Sequence, residues 1–297
     1  MAGLIRGPIV CLNSGTETLQ QRYKTVQGVR WLTDGNIRDV YSTFRKHDAT
    51  ALPDTVLLLS PAQALMLAVA SDQDVAEQVF EMHLPSRDFV LVPLNDASAR
   101  GHDGKHWSLL IVVRSRGRSR EEPVADAVTC YHLDSAQMAC HEARAALVGQ
   151  KLLGQGARVE TTKCAMQRNG RDCGIYLLLF SEIALACFLE SSSWLAFRLK
   201  KSWREAVAAV SPERAEAYRA MLQQTYNRGI ALQEGIAPIL DVDEPDGCDC
   251  GWAAGEMKWH HPDCPLHSDR QPVAMKRPAS VLAEEQSPPK KTAAINY

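Results

Sequence analysis

Cys173 stands between Asp172 and Gly174 at the head of a long apolar run, six residues after Gln167. The whole segment reads Gln167-Arg168-Asn169-Gly170-Arg171-Asp172-Cys173-Gly174-Ile175-Tyr176. A thiol at such a position begins a helix, where the macrodipole and the free backbone N–H groups favour the thiolate. The Gln167 amide is placed to donate to an oxyanion forming beside it. A thiol hydrolase also needs a base and a group to orient that base. His106 lies in Gly104-Lys105-His106-Trp107-Ser108-Leu109-Leu110-Ile111-Val112-Val113, directly before residues that read as a buried strand. A second strand, Val128-Thr129-Cys130-Tyr131-His132-Leu133, ends at Asp134-Ser135. If the two strands are antiparallel neighbours, His106 and Asp134 meet at one sheet edge. Asp134 then fixes the imidazole tautomer and His106 takes the proton of Cys173. A cysteine and a histidine alone carry no such conclusion, because free cysteines are often inert core residues. Their contexts carry it.

The elements that must position these groups follow from the pattern. Ile175 to Leu189 is the longest apolar stretch; it contains Ser181 and Glu182 and is too short for a bilayer. It reads as a central buried helix that starts at Cys173. Further helices are expected at Asn36–His47, Pro61–Ala70, Asp74–Met82, Met138–Leu147 and Trp194–Val210. Ser60-Pro61 is a cap followed by a first-turn proline, and Ser211-Pro212-Glu213 repeats that signal before a helix to about Arg228. Helices, then strands, then helices predict an α+β, papain-like arrangement with a central mixed sheet rather than a doubly wound one.

His-Trp-Ser-Leu at 106–109, a strand ending in Asp134-Ser135, and Gln167 six residues before Cys173-Gly174 occur in an order that resembles the ubiquitin-like-protein proteases, the Ulp/sentrin-specific group. Trp31-Leu32-Thr33-Asp34-Gly35-Asn36-Ile37 resembles that family's Trp-Leu-Asn-Asp-x-x-Ile motif. The resemblance runs from about Pro8 to about Gln233. Leu91-Val92-Pro93-Leu94-Asn95 and the Asp-Cys-Gly-Ile-Tyr run look closest to the compact deneddylase branch. The resemblance implies the Ulp-type fold, His106 as base, Asp134 as orienter, Cys173 as nucleophile and Gln167 in the oxyanion hole. It further implies that Trp31 and Trp107 roof a narrow tunnel for a modifier's C-terminal Gly-Gly, with Asp34 holding the tail. Two flat indoles leave room only for residues without side chains, so selection is by steric exclusion.

The activity so implied is thiol-dependent cleavage after the Gly-Gly of a ubiquitin-like modifier, Nedd-type in the branch it most resembles and SUMO as the alternative. A binding module that holds a modifier without cutting it, and a related Cys/His acyltransferase, are the readings from other classes. The sequence departs from the family pattern at Thr33, where Asn is usual. The 28 positions between His106 and Asp134 are also long for the family, and Arg114 to Pro123 form an arginine-rich loop there that reads as a solvated hairpin tip.

With 297 residues, 45% apolar, the chain can bury one substantial core. A net charge of −2 argues against nucleic-acid or membrane partners. Met1 to Pro8 is too short and broken for a secretory signal. Nine cysteines with a reduced nucleophile point to a cytoplasmic or nuclear compartment. The expected organisation is an N-terminal arm at 1–7, a protease domain at 8–235 and a linker at 236–247. A Cys/His-rich segment at 248–268 and a basic tail at 269–297 follow. Cys248, Cys250, Cys264 and His267, with His260 and His261 nearby, offer ligands enough for a structural zinc, while catalysis calls for no cofactor. Lys276-Arg277 and Lys290-Lys291 resemble a bipartite nuclear-import signal.

Overall fold

Every residue from Trp107 to Val113 is buried, so the strand after His106 is covered on both faces. The computed structural model describes residues 17–28, 30–45, 52–97, 104–114, 128–154, 157–191, 196–197 and 200–234. The chain divides into two units, Met1–Asp241 and Val242–Tyr297, and all described residues belong to the first. The Cys/His-rich segment, the tail, the N-terminal arm and most of the arginine-rich loop lie outside the described residues.

Helices α1 (Leu19–Gln27) and α2 (Asp34–Arg45) precede a sheet of β1 (Val56–Leu58), β2 (Phe89–Asn95), β3 (Trp107–Arg114), β4 (Val128–Leu133) and β5 (Val159–Thr161). Between β1 and β2 lie α3 (Pro61–Val69) and α4 (Asp72–Glu81). Helix α5 (Ala139–Leu153) joins β4 to β5, and α6 (Cys173–Leu189), α7 (Lys201–Ala208) and α8 (Pro212–Gln233) complete the described residues. The five strands are ordered β1-β2-β3-β4-β5. The outer pairs β1–β2 and β4–β5 are parallel, while β2–β3 and β3–β4 are antiparallel. This is the α+β arrangement of a mixed sheet between helices that the order of elements predicts. Among the described residues no helix is long and apolar enough to cross a membrane.

Alternation along the strands divides the core in two. Leu91, Leu109, Ile111, Val113, Tyr131 and Leu133 join the cluster that contains α6. Val90, Val92, Leu94, Leu110, Val112 and Cys130 join the cluster built with α3 and α5. With period-two side chains, such strands are apolar on both faces and read as continuous hydrophobic runs. Helix α6 is buried around nearly its whole circumference, as its unbroken apolar sequence requires.

The expected caps are formed. Ser60 and Ser211 accept from the N–H groups of Gln63 and Arg214, with proline in the first turn of each helix. Other boundaries differ from the expectation. Met138 caps α5 rather than joining it, and the helix runs on to Leu153. Gly149 lies inside it because a Cβ there would stand 2.8 Å from Val159 Cγ2 of β5. A single helix over Trp194–Val210 does not form. Lys200 is extended, and α7 begins at Lys201.

Candidate active site

The antiparallel pairing of β3 and β4 sets Leu109 opposite Leu133, which brings the residue before β3 and the residue after β4 to one edge. There His106 Nε2 lies 2.7 Å from Asp134 Oδ1. Asp134 also accepts from the backbone N–H groups of Ala136 and Met138, both at 2.8 Å. The carboxylate is therefore fixed by the turn that leads into α5. Asp96 performs the same service for the segment that carries His106, accepting from the N–H groups of Lys105 at 2.6 Å and His106 at 2.9 Å.

Cys173 is the first residue of α6 and is fully buried. Its Sγ lies 4.0 Å from the carbonyl oxygen of Lys105, the residue before His106, and it interacts with the His106 ring. Since Nε2 faces Asp134, Nδ1 is the nitrogen left for the thiol. Burial pushes His106 toward the neutral form. The hydrogen bonds and charges of Asp134 and Cys173 outweigh it and raise its pKa to about 9. Burial likewise opposes ionisation of Asp134, but the bonds from His106, Ala136 and Met138 hold it down at about 2. These interactions favour the protonated form of the His106 ring beside the Asp134 carboxylate.

Gln167 reaches the site through a turn that it partly ties itself. Its backbone N–H donates to Ser135 carbonyl oxygen at 2.9 Å, and Ser135 Oγ donates to its Oε1 at 2.8 Å. Its Nε2 donates to the Asn169 carbonyl, which leaves a second N–H of the amide for another acceptor. The first N–H groups of α6 have no partner within the helix.

Sequence reasoning missed the groups that hold this turn. Asn169 Oδ1 accepts from the N–H groups of Arg171 and Asp172, both at 3.0 Å. Asp172 accepts from Asn169 Nδ2 at 2.7 Å and from Arg219 Nη2 of α8 at 2.6 Å. Arg219 Nη1 also donates to the Val26 carbonyl at the end of α1. An Asn-x-x-Asp spacing before a helix is a local turn signal, but the arginine arrives from 47 residues away with no pattern to announce it.

The two indoles differ. Trp31 is 43% exposed and donates its Nε1–H to the Gly170 carbonyl. Trp107 is 2% exposed and packs in the core, its Nε1–H donating to the Leu32 carbonyl at 2.8 Å. Asp34 is exposed at the first turn of α2. Each indole thus pins a backbone strip, and the strips belong to the two segments that flank Cys173. Among the described residues no group of three or more His, Cys, Asp or Glu is placed to hold a metal ion. The four proposed zinc ligands lie outside those residues.

Gly174 shows how closely the strips approach. A Cβ there would lie 2.9 Å from Leu32 Cβ and 3.1 Å from Leu32 Cγ. Gly174→Ala is expected to displace Leu32, whose carbonyl holds Trp107, and to destabilise the fold by about 1–3 kcal/mol. Thermal unfolding checks the stability. A variant as stable as the parent would show that the strip moves freely.

Residues 72–209 match the Ulp1 protease family, C-terminal catalytic domain. That stretch is therefore similar to a Ulp1-type cysteine protease catalytic domain. The match spans His106, Asp134, Gln167 and Cys173; Trp31 and Asp34 precede it. Among characterised proteins the chain is similar to sentrin-specific protease 8 of Homo sapiens, 24% identical over 159 residues, covering 51% of this chain and 69% of that one. It is similarly related to sentrin-specific protease 8 of Rattus norvegicus, at 24% identity, covering 51% and 68%. Of solved structures, it superposes on the Xanthomonas campestris effector XopD bound to ubiquitin with a TM-score of 0.48 and 21% identity, covering 66% and 92%. The SUMO protease Ulp1 gives 0.48 and 17%, covering 76% and 91%.

Proposed function

We propose that this Ulp1-type protease cleaves after the C-terminal Gly-Gly of a ubiquitin-like modifier, with a Nedd-type modifier as its substrate. The likeness to sentrin-specific protease 8 and the compact-branch motifs support that choice of modifier. The observation that carries the catalytic reading is the His106 ring held at 2.7 Å by Asp134 while in contact with Cys173.

In this reading Cys173 has passed its proton to His106, and the resulting thiolate attacks the carbonyl carbon of the terminal glycine. The oxyanion accepts from the free Gln167 amide N–H and from backbone N–H groups at the start of α6. His106, already protonated, gives its proton to the departing lysine amine or peptide nitrogen as the C–N bond breaks. A water molecule then attacks the thioester, His106 takes its proton, and the released thiolate leaves the modifier with a free carboxylate. Trp31, exposed beside the Gly170 strip, covers the Gly-Gly tail, Trp107 supports the Leu32 strip from the core side, and Asp34 binds tail N–H groups.

The test uses Nedd-type, SUMO and ubiquitin probes carrying a C-terminal electrophile, with Cys173→Ala as control. A covalent adduct with the Nedd-type probe, absent from the control, is the expected result. An adduct with SUMO alone would transfer the substrate assignment to SUMO. No adduct from folded protein would overturn the proposal.

A further inference from the structure

Behind His106 lies a second, buried set of titratable groups that the cleavage scheme does not use. His141 of α5 packs edge-to-face on the His106 ring, with centroids 4.5 Å apart and planes at 87°. Its Nδ1 is 2.7 Å from Ser108 Oγ of β3, and the same hydroxyl is 3.0 Å from His132 Nε2 of β4. All three are at most 1% exposed. The chain thereby joins both central strands and the helix that caps them, immediately beside the proposed base.

This arrangement is an expensive way to fill a core. Polar groups buried here need partners, and His132 Nδ1 and His141 Nε2 find none in the structure. Apolar side chains would pack the same space without that penalty. What the polar chain supplies is a defined orientation. A hydroxyl has one hydrogen, so Ser108 donates to one imidazole and accepts from the other, which couples the two tautomers and holds both rings in register. The His106 ring lies against one end of this chain.

We propose that His141, anchored through Ser108 to His132, is a positioning residue that holds the His106 imidazole against Asp134 with its other nitrogen toward Cys173. The inference rests on the reading of His106 as the base. The electrostatics agree with the geometry. The groups facing His141 are His106, Asp134, Asp96 and His132. Burial and the neighbouring His106 push its pKa down to about 4, against the pull of the two carboxylates. Burial likewise lowers that of His132, against Asp134 and Glu142. His141 therefore stays neutral between about pH 4 and 9, where His106 is charged, and the imidazolium has a polar but uncharged ring behind it.

The test compares His141→Ala with His141→Phe, and Ser108→Ala with Ser108→Thr; the second member of each pair keeps the ring or the hydroxyl and preserves the fold. Two readouts are needed. The first is the pH profile of Cys173 alkylation by iodoacetamide, which requires no modifier. The second is kcat and KM on whichever modifier reacts. The Ala variants should move the alkylation profile by about half a pH unit and lower kcat about tenfold with KM within about twofold. The Thr variant should recover most of both, and the Phe variant, which keeps the ring but loses the nitrogen bonded to Ser108, only part; full recovery in Phe would show that the polar anchor is not needed. Loss of thermal stability in all four with the parental alkylation profile would overturn the proposal and leave a purely structural role. If the parent cleaves no modifier yet the profile moves, positioning stands and the modifier reading falls.

Discussion

Asp134→Asn is expected to lower kcat/KM by about 10²–10⁴-fold and to pull the alkaline limb of the pH profile below its parental position near pH 9. The protein keeps a group of the same shape in the same place, so the loss is one of charge and tautomer. The Asn amide can present its N–H₂ to Nε2 as readily as its oxygen. In that orientation the proton is driven to the nitrogen that faces Cys173 and the base is blocked. The pH shift has a separate cause. His106 must carry a proton to expel the leaving amine, and its raised pKa depends on the Asp134 bond and charge. Without them burial dominates, the imidazolium loses its proton at lower pH, and activity falls earlier as pH rises. Retention of parental kcat/KM within about twofold, with the limb unmoved, would show that Asp134 does not orient the base.

The same pair makes a statement about stability. A raised His106 pKa gives a contribution that is complete below its ordinary value near 6.5 and is lost as pH rises through about 9. A lowered Asp134 pKa gives one that is complete above about 3.8 and is lost as pH falls through about 2. Both are present in full only between roughly pH 4 and 6.5, so the stability and the activity of this protein need not peak at the same pH.

The meeting of His106 with Asp134 and the place of Cys173 at a helix start were legible in the sequence because each residue sits at the end of a strongly patterned element. His106 precedes an unbroken apolar strand, Asp134 ends another, and Cys173 begins a helix with apolar residues all round. What held those elements was less visible. Strands β1 and β5 are three residues long and pair in parallel at the two edges of the sheet, too short for any periodicity. Strand β2 contains Pro93, which argues against a central strand. The register resolves this: β1 pairs only as far as Leu91, so Pro93 lies beyond its reach. Ser108 and His132 read as ordinary strand residues, and His141 as one residue of an amphipathic helix. Only the packing of three elements brings them together. The buried role of Trp107 was equally hidden, since an indole at a strand start has the same sequence whether it lines a tunnel or fills a core.

Removal of Asp39 should have the largest effect on stability. Arg22 of α1 is almost wholly buried and donates through Nη1 to Asp39 Oδ1 at 2.7 Å and Oδ2 at 2.8 Å. Tyr226 of α8 donates to the same carboxylate at 3.1 Å. Asn36 completes the cluster, donating to Tyr226 Oη at 3.0 Å and accepting from the N–H of Thr33 at 2.9 Å. The set therefore fixes the chain beside Leu32 and Asp34 as well as clamping three helices. Burial raises the Asp39 pKa in spite of the guanidinium, so folding disfavours the ionised carboxylate and the intact pair is not a net source of stability. Breaking it is another matter. Asp39→Ala leaves the Arg22 charge in the core without its bidentate carboxylate, Glu17 lying more distantly at 3.8 Å from Nε. The expected cost is about 3–5 kcal/mol, or a fall in Tm of about 10 °C. Replacing both partners, as Arg22→Met with Asp39→Leu, should restore part of that loss, because no charge is then stranded. Equal losses in the single and double variants would locate the stabilisation in the hydrogen bonds of Tyr226 and Asn36 instead. A loss under about 1 kcal/mol in Asp39→Ala would mean that water reaches Arg22 and that the charge was never isolated.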